Sequence, residues 1–270
     1  MGFVVGIADK DGFLRAICWC LIVFFSLFPG MVRAEGPGIK PGTATVSYLH
    51  GKAEVLRRGQ EIWGPVWLGM VLREGDRVRT LEGSRLELTL EDKTVIRLAE
   101  SSSFLLTKLR TDQRGKATHS RLFLFLGKVW ANVNRLIFPP STFEIQTQVA
   151  IAGTRSTIYR LSILSDSSTV IKVYEGSVGV GPVPTELGPP AEVGGPSEVT
   201  GPVPIAPPYH EVTPEEWVRI VVGKMQQVSI SPEGIFGAPE KIVGEAGEEE
   251  WVAWNQERDR LLPRPPHSLR

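Results

Sequence analysis

Ser84 to Leu98 reads SRLELTLEDKTVIRL. Leu86, Leu88 and Leu90 alternate with Arg85, Glu87 and Thr89, the pair Asp92-Lys93 breaks the run, and Ile96 and Leu98 resume the period of two. Successive side chains of a strand point to opposite faces, so this alternation predicts two half-buried strands joined by a hairpin turn. Glu87, Glu91 and Asp92 are expected as outward charges. The same phrase, a short alternating segment and then a turn with Gly or Asp, recurs from Thr45 to Val180 and makes the chain all-β.

Working outward, VSYL and AEVL flank His50-Gly51 and predict a hairpin over Ala44 to Arg57. Gly75-Asp76 is a turn dipeptide ahead of a strand over Arg77 to Thr80. Phe104, Leu106 and Leu109 mark a further strand, and the polar stretch Thr111 to Ser120 reads as an exposed loop. Leu122 to Leu126 is apolar at every position, as in a strand covered on both faces, and Gly127-Lys128 is read as a turn into Val129, Ala131 and Val133. FEIQTQVAIAGTRSTIYRLSIL and TVIKVYEGSVGV supply three or four more strands, with breaks at Gly153 and Gly176.

Between Gly181 and Pro208 the texture changes: nine prolines and five glycines occupy 28 positions. Proline removes ladder donors and glycine raises the entropic cost of order, so 181–208 is assigned as linker or loop. Residues 209–236 follow, with WVRIVVGKMQQVSISPEG read as a β-hairpin turning near Gly223-Lys224 and rejoining the domain. The tail 237–270 holds one helix, expected over 248–262. Trp251, Trp254, Arg258 and Leu261 recur at spacings of three and four, acids open the segment, Arg258 and Arg260 close it, and Pro263 stops it. Trp251, Trp254 and Arg258 are the candidate partner-contact residues of this helix.

The amino-terminal end predicts export. Lys10 and Arg15 flank the apolar run Ala16 to Phe28, Pro29-Gly30 break it, and Val32-Arg33-Ala34 has the small-x-small form of a cleavage site. Residues 1–34 are therefore assigned as a signal peptide cleaved after Ala34, and 35–43 as a Gly/Pro linker to a β domain over 44–180. The run is short of the roughly 20 apolar residues of a spanning helix. Membrane association is expected only if the segment is retained. Cleavage removes both cysteines, Cys18 and Cys20, which leaves no thiol for a disulfide, a nucleophile or a metal. It also removes three of 30 basic residues (Lys10, Arg15, Arg33) and two of 30 acidic ones (Asp9, Asp11), leaving 27 and 28. Such a balance gives no positive field for a nucleic-acid backbone.

Catalytic chemistry has no sequence signal. His50, His119, His210 and His267 are far apart, so no zinc-type spacing arises. The chain has no GxSxG elbow and no SxxK, and no glycine-rich loop leads from a strand into a helix as a phosphate cradle requires. Trp63, Trp67 and Trp130 stand in apolar surroundings at strand spacing and are read as core rather than as a sugar-stacking platform. No catalytic residue, cofactor or metal is assigned.

Taken in order, the phrases GKAEVLRRG, W-x3-W-x-G-x2-L-x2-GD-x-V-x-T, SRLELTLEDKTVIRL, LGKVWANV, FEIQTQVAIAGT and VIKVYEGSVGV resemble the FecR domain. This is an extracytoplasmic bacterial module named for a ferric-citrate regulator of iron uptake. The resemblance covers about Gly51 to Val180, and it implies short strands wound into a twisted, solenoid-like or sandwich stack in an exported, periplasmic protein. Gly75-Asp76 matches the family's turn, Gly153-Thr154 its GT step and Glu175-Gly176 its late turn, all six as fold-setting residues. Ala152 stands where an arginine is usual, and Ser156 where an aromatic is common. Only 15 residues precede the apolar run, and the tail does not read as the receptor-contact domain of transducing members. The expectation is therefore a non-enzymatic interaction or scaffold module of the cell envelope, binding an envelope protein or polymer. A regulatory part in transmembrane signalling is the alternative, and a hydrolase on a β scaffold a third.

Overall fold

In the computed structural model the described residues are 2, 39–112, 117–134, 141–184, 220–244, 247 and 249–262. The expected signal segment apart from Gly2, most of the 181–208 linker and 209–219 lie outside them. Among the described residues are eighteen strands, followed by one helix, α1 (Glu249–Leu261). All of these elements belong to one unit that begins at Ile39. The chain is all-β with a carboxy-terminal helix.

The strands build two open sheets. The first runs in the order β4 (Gly64–Pro65), β3 (Ala53–Leu56), β6 (Arg77–Thr80), β9 (Ser103–Asp112), β10 (Thr118–Val133), β11 (Thr142–Gln146), β12 (Ile151–Thr154), β15 (Val178–Gly181), β16 (Ile220–Val222). Strand β1 (Ile39–Pro41) pairs with the far end of β9, beside β6. The second sheet runs β5 (Val71–Arg73), β2 (Thr43–His50), β7 (Arg85–Leu90), β8 (Val95–Leu98), β10, β13 (Thr157–Ile163), β14 (Thr169–Glu175), β17 (Gln226–Ile230), β18 (Glu240–Lys241). Neither ladder closes on itself.

One core fills the space between the sheets. Leu86, Leu88, Ile96, Leu98, Val129, Tyr159, Leu161, Ile171 and Val228 come from the second sheet, and Val55, Val78, Phe104, Leu106, Leu122, Phe143, Ile145, Ala152 and Val180 from the first. This is sandwich packing, in which each sheet turns its alternate positions inward. The Ser84–Leu98 hairpin forms as read, with Leu86 opposite Leu98 and Leu88 opposite Ile96, and Lys93 takes the turn at φ 69°.

Several local expectations change. Strands β2 and β3 do not pair with each other: Gly51, at φ +73°, turns the chain from the second sheet into the first. The same holds at Gly223-Lys224, where the Gln226 amide donates to the Gly223 carbonyl (3.1 Å) but β16 and β17 join opposite sheets. A period of two gives each strand an inward face and is equally satisfied by a hairpin and by a sandwich corner. The expected loop over Thr111 to Ser120 is strand at both of its described ends: β9 runs to Asp112, β10 starts at Thr118, and Thr118 and Ser120 are buried. Gly127 does not end a strand either. It bends β10 at φ +87°, so that Thr118–Leu126 pairs in the first sheet and Gly127–Val133 in the second. The expected linker over 35–43 is cut short, because Ile39–Pro41 is already strand β1.

Candidate functional site

Of the six family-type turn residues, Gly75 and Asp76 precede β6, Glu175 and Gly176 lie at the end of β14 and Thr154 ends β12, whereas Gly153 lies inside β12 and does not break it. Gly75 lies at φ +91°, and its amide donates to the Leu106 carbonyl at 2.8 Å. Asp76 beside it is buried and accepts three bonds: from the Arg57 guanidinium (2.6 Å), the Arg73 amide (2.9 Å) and the Arg58 amide (3.2 Å). One carboxylate thus ties the ends of three neighbouring segments together. At the other corner the Thr154 and Thr157 hydroxyls meet each other and reach the Ser177 carbonyl at 3.0 and 2.8 Å. Gly176 (φ +82°) passes so close to the Ser156 carbonyl that a Cβ would lie 2.5 Å from it. Glu175 is exposed at the end of β14. Gly153 faces Glu144 on one side and Gly179 on the other.

Outward-facing residues of the second sheet form a line the sequence does not announce. Strand by strand, register puts Tyr48 opposite Glu87, Glu87 opposite Arg97, Arg97 opposite Trp130, Trp130 opposite Arg160, Arg160 opposite Lys172, and Lys172 opposite Gln227. Six of these, Glu87 to Gln227, are buried, and Arg97 and Trp130 are fully so. Charged residues are seldom buried unless paired, and the pairing is supplied from above.

Helix α1 and the segment before it lie on this row. Arg97 donates to Glu87 through Nε and to Asp259 through Nη1, both at 2.6 Å. The other Asp259 oxygen accepts from Trp130 Nε1 at 2.9 Å. Arg258 donates twice to Glu87, at 2.9 and 3.1 Å, and the Ser47 hydroxyl donates to the same carboxylate at 2.8 Å. Asn255 is buried, and its amide donates to the Trp251 carbonyl. Trp251 meets Trp130 edge-on at 6.1 Å, Tyr174 stacks on Trp130 at 4.6 Å, and Trp254 lies 5.6 Å from Tyr48. Farther along, the Lys172 ammonium donates to the Val243 carbonyl (2.9 Å), and Gln227 bonds both Glu240 and the Val243 amide.

Glu87 is therefore not an outward charge. Burial pushes its carboxyl up and is the largest single influence, but the bonds from Arg258, Arg97 and Ser47 together outweigh it and hold the group below the ordinary carboxylate range. The expected partner-contact residues Trp251, Trp254 and Arg258 all face the sheet and contact it. Sequence reading took Glu87 for an outward charge and passed over Arg97, Arg160, Lys172 and Asp259. The signal was present: VIRL, TIYRL and TVIKV each carry one cation inside an apolar strand.

The remaining candidates are less built. Trp130 is core, but Trp67 is 58% exposed and Trp63 lies on the surface beneath the Arg79 guanidinium, 4.2 Å from the ring centre. Ile62 and Leu68, 82% and 65% exposed, share that loop with Trp67. His50 is exposed, His119 contacts the Thr142 hydroxyl at 3.2 Å, and His210 and His267 lie outside the described residues. A groove of about 240 Å³ crosses the first sheet between Thr142, Glu144, Gly153, Arg155 and Gly179. Among the described residues no group of three His, Cys, Asp or Glu side chains could hold a metal ion, and no helix is long and apolar enough to cross a membrane.

Comparison with known proteins follows the same lines. Residues 76–179 match the family model described as FecR protein. The match begins at Asp76, later than the resemblance read from Gly51, and ends in β15. It holds Glu87, Arg97, Trp130, Arg160 and Lys172 but not Tyr48 or α1. No curated protein matches the chain. Two crystal structures of a candidate anti-sigma factor from Parabacteroides distasonis are similar at 15 and 16% identity, each with a TM-score of 0.40 over 67% of this chain. The chain spans 64% of the length of those chains.

Proposed function

We propose that this chain is an exported, non-enzymatic interaction module of the bacterial cell envelope, built around a FecR domain. The observation that carries the reading is the division of labour among its side chains. Buried Asp76, Glu87, Arg97 and Lys172 are engaged in bonds that hold strands and helix together, whereas the segment Ile62 to Val71 turns Ile62, Trp67, Leu68 and Val71 to solvent. Large apolar groups left in solvent, a tryptophan among them, mark contact surfaces. The amino-terminal segment supports export to the periplasm. The partner is an envelope protein or polymer.

A pull-down from envelope extracts with the full chain, repeated with Ile62, Trp67 and Leu68 all changed to Ser, tests this reading. The wild type is expected to retain a defined partner that the triple variant loses. An unchanged catch would remove the loop from the contact, and amino-terminal sequencing that finds no exported form would overturn the envelope setting.

A regulatory part in transmembrane signalling is the second reading, favoured by the match of Asp76 to Gly179 to a family named for a regulator of iron uptake. It requires that the apolar run Ala16 to Phe28 be kept as an anchor. Recovery of the exported chain with Glu35 as its first residue would sink it.

A further inference from the structure

The tail and the sheet beneath it are electrically complementary. From Glu240 to Leu262 the chain carries seven acidic and three basic residues. The sheet face offers Arg85, Arg97, Arg160 and Lys172 around one carboxylate, Glu87. The tail answers with Glu250 on Arg85 (2.7 Å), Asp259 on Arg97 and the Val243 carbonyl on Lys172. Its apolar contribution is confined to Trp251, Val252 and Trp254, which pack with Trp130 and Ala99. Trp251 and Asn255 are the buried residues of α1, and Leu261 is 74% exposed.

Nor is the fit complete. Two polar atoms buried under the helix, Arg97 Nη2 and Trp251 Nε1, have no hydrogen-bond partner among the described residues. Each such atom costs free energy that a better-matched occupant would recover. Desolvation of buried ion pairs offsets most of their attraction, so a helix held by them is bound less firmly than its contacts suggest. A basic face, a stacked aromatic pair at Trp130 and Tyr174, and an imperfect acidic occupant belong together.

We infer that the outer face of the second sheet is a docking surface for an acidic, tryptophan-bearing helix of a partner protein, and that α1 occupies it in the free chain. This inference rests on the reading of the chain as an interaction module and names the partner's chemistry. Recognition runs through Arg97 and Arg85 for carboxylates and through the Trp130 ring, which Trp251 meets edge-on at 6.1 Å, for the indole. Binding would then be competitive with α1, so the free chain masks its own site.

A fluorescent peptide with the sequence of residues 249–262 is the probe, titrated into the full chain by anisotropy. Asp259→Asn and Trp251→Ala are each expected to loosen α1 and bind the peptide at least tenfold more tightly than the wild type does. A peptide carrying Glu250→Lys and Asp259→Lys should bind those variants at least tenfold more weakly, and raised salt should erase the difference. Equal affinity for wild type and both variants would overturn the inference. So would indifference to the charge reversal, or loss of the cooperative urea transition in both variants, which would make α1 part of the core. A concentration-dependent dimer of the wild type that exchanges α1 would assign the face to a second copy and also reject the partner. None of these results bears on the Ile62–Trp67–Leu68 pull-down, so the two readings fail separately.

Discussion

Glu87 shows how one residue changes meaning between sequence and structure. In SRLELTL it occupies an outward position of an amphipathic strand, and the period of two is correct: Leu86 and Leu88 are in the sandwich core and Glu87 is on the other side. What periodicity omits is that the other side is covered as well. Removing the carboxylate leaves Arg97 buried with Asp259 as its one carboxylate partner among the described residues, so Glu87→Ala is expected to cost about 3–5 kcal/mol in a urea titration, as breaking a buried pair does. The pH dependence has a definite sign. Because the folded carboxyl titrates below its ordinary value of 4.5, its contribution is complete above that value and is lost as pH falls through 4.5 to the lower folded one. Stability of the wild type should therefore drop from about pH 5 downward more steeply than that of Glu87→Gln. Parallel slopes for the two proteins would show that Glu87 is not the group responsible. Trp254, packed against Tyr48, gives the fluorescence readout.

Among the elements, β10 does the most to define the molecule. LFLFLGKVWANV is apolar on both faces before Gly127 for a legible reason, since Leu122 and Leu124 enter the main core while Phe123 is buried on the opposite face. The glycine itself was misread, because a residue at φ +87° serves a hairpin turn and a sheet-crossing bend equally well. A side chain at Gly127 would meet the Ser102 backbone at 2.6 Å in a left-handed conformation. Gly127→Ala should thus cost more than the ~1–2 kcal/mol of that conformation alone, measured as a fall in the urea midpoint at unchanged m-value. A loss within experimental error would mean that the bend tolerates a Cβ. By contrast, Ile62, Trp67 and Leu68 stand in solvent, so their replacement by Ser should alter stability by no more than about 0.5 kcal/mol. The helix was the easiest element to see, through its caps, charge gradient and tryptophan spacing. Which of its faces meets the sheet, and that Asp259 rather than Leu261 provides the anchor, required the row on β7, β8 and β10.

At the scale of the whole molecule, both sheets share β10 and one core, which predicts a single cooperative unfolding unit. Tryptophan fluorescence, weighted toward the second sheet by Trp130, Trp251 and Trp254, and far-UV circular dichroism should give coincident urea transitions. Separated midpoints would show that the sheets melt independently. Pairings such as β2 with β7 and β14 with β17 join distant segments, and folding is expected in the slow, millisecond-to-second range of non-local β proteins. The sequence alone determined the all-β class, most strand positions, the terminal helix and the FecR-like order of turns, because these depend on local periodicity and on residues whose backbone preferences act within a few positions. Only the tertiary structure decided which strands share a sheet, that the chain changes sheets at Gly51, Gly127 and Gly223, and that Glu87, Arg97, Trp130, Arg160 and Lys172 form one buried line under an acidic tail. Those are relations between residues as much as 171 positions apart, fixed by pairing register and by the need of buried charges for partners, and neither is written in any local stretch of the chain.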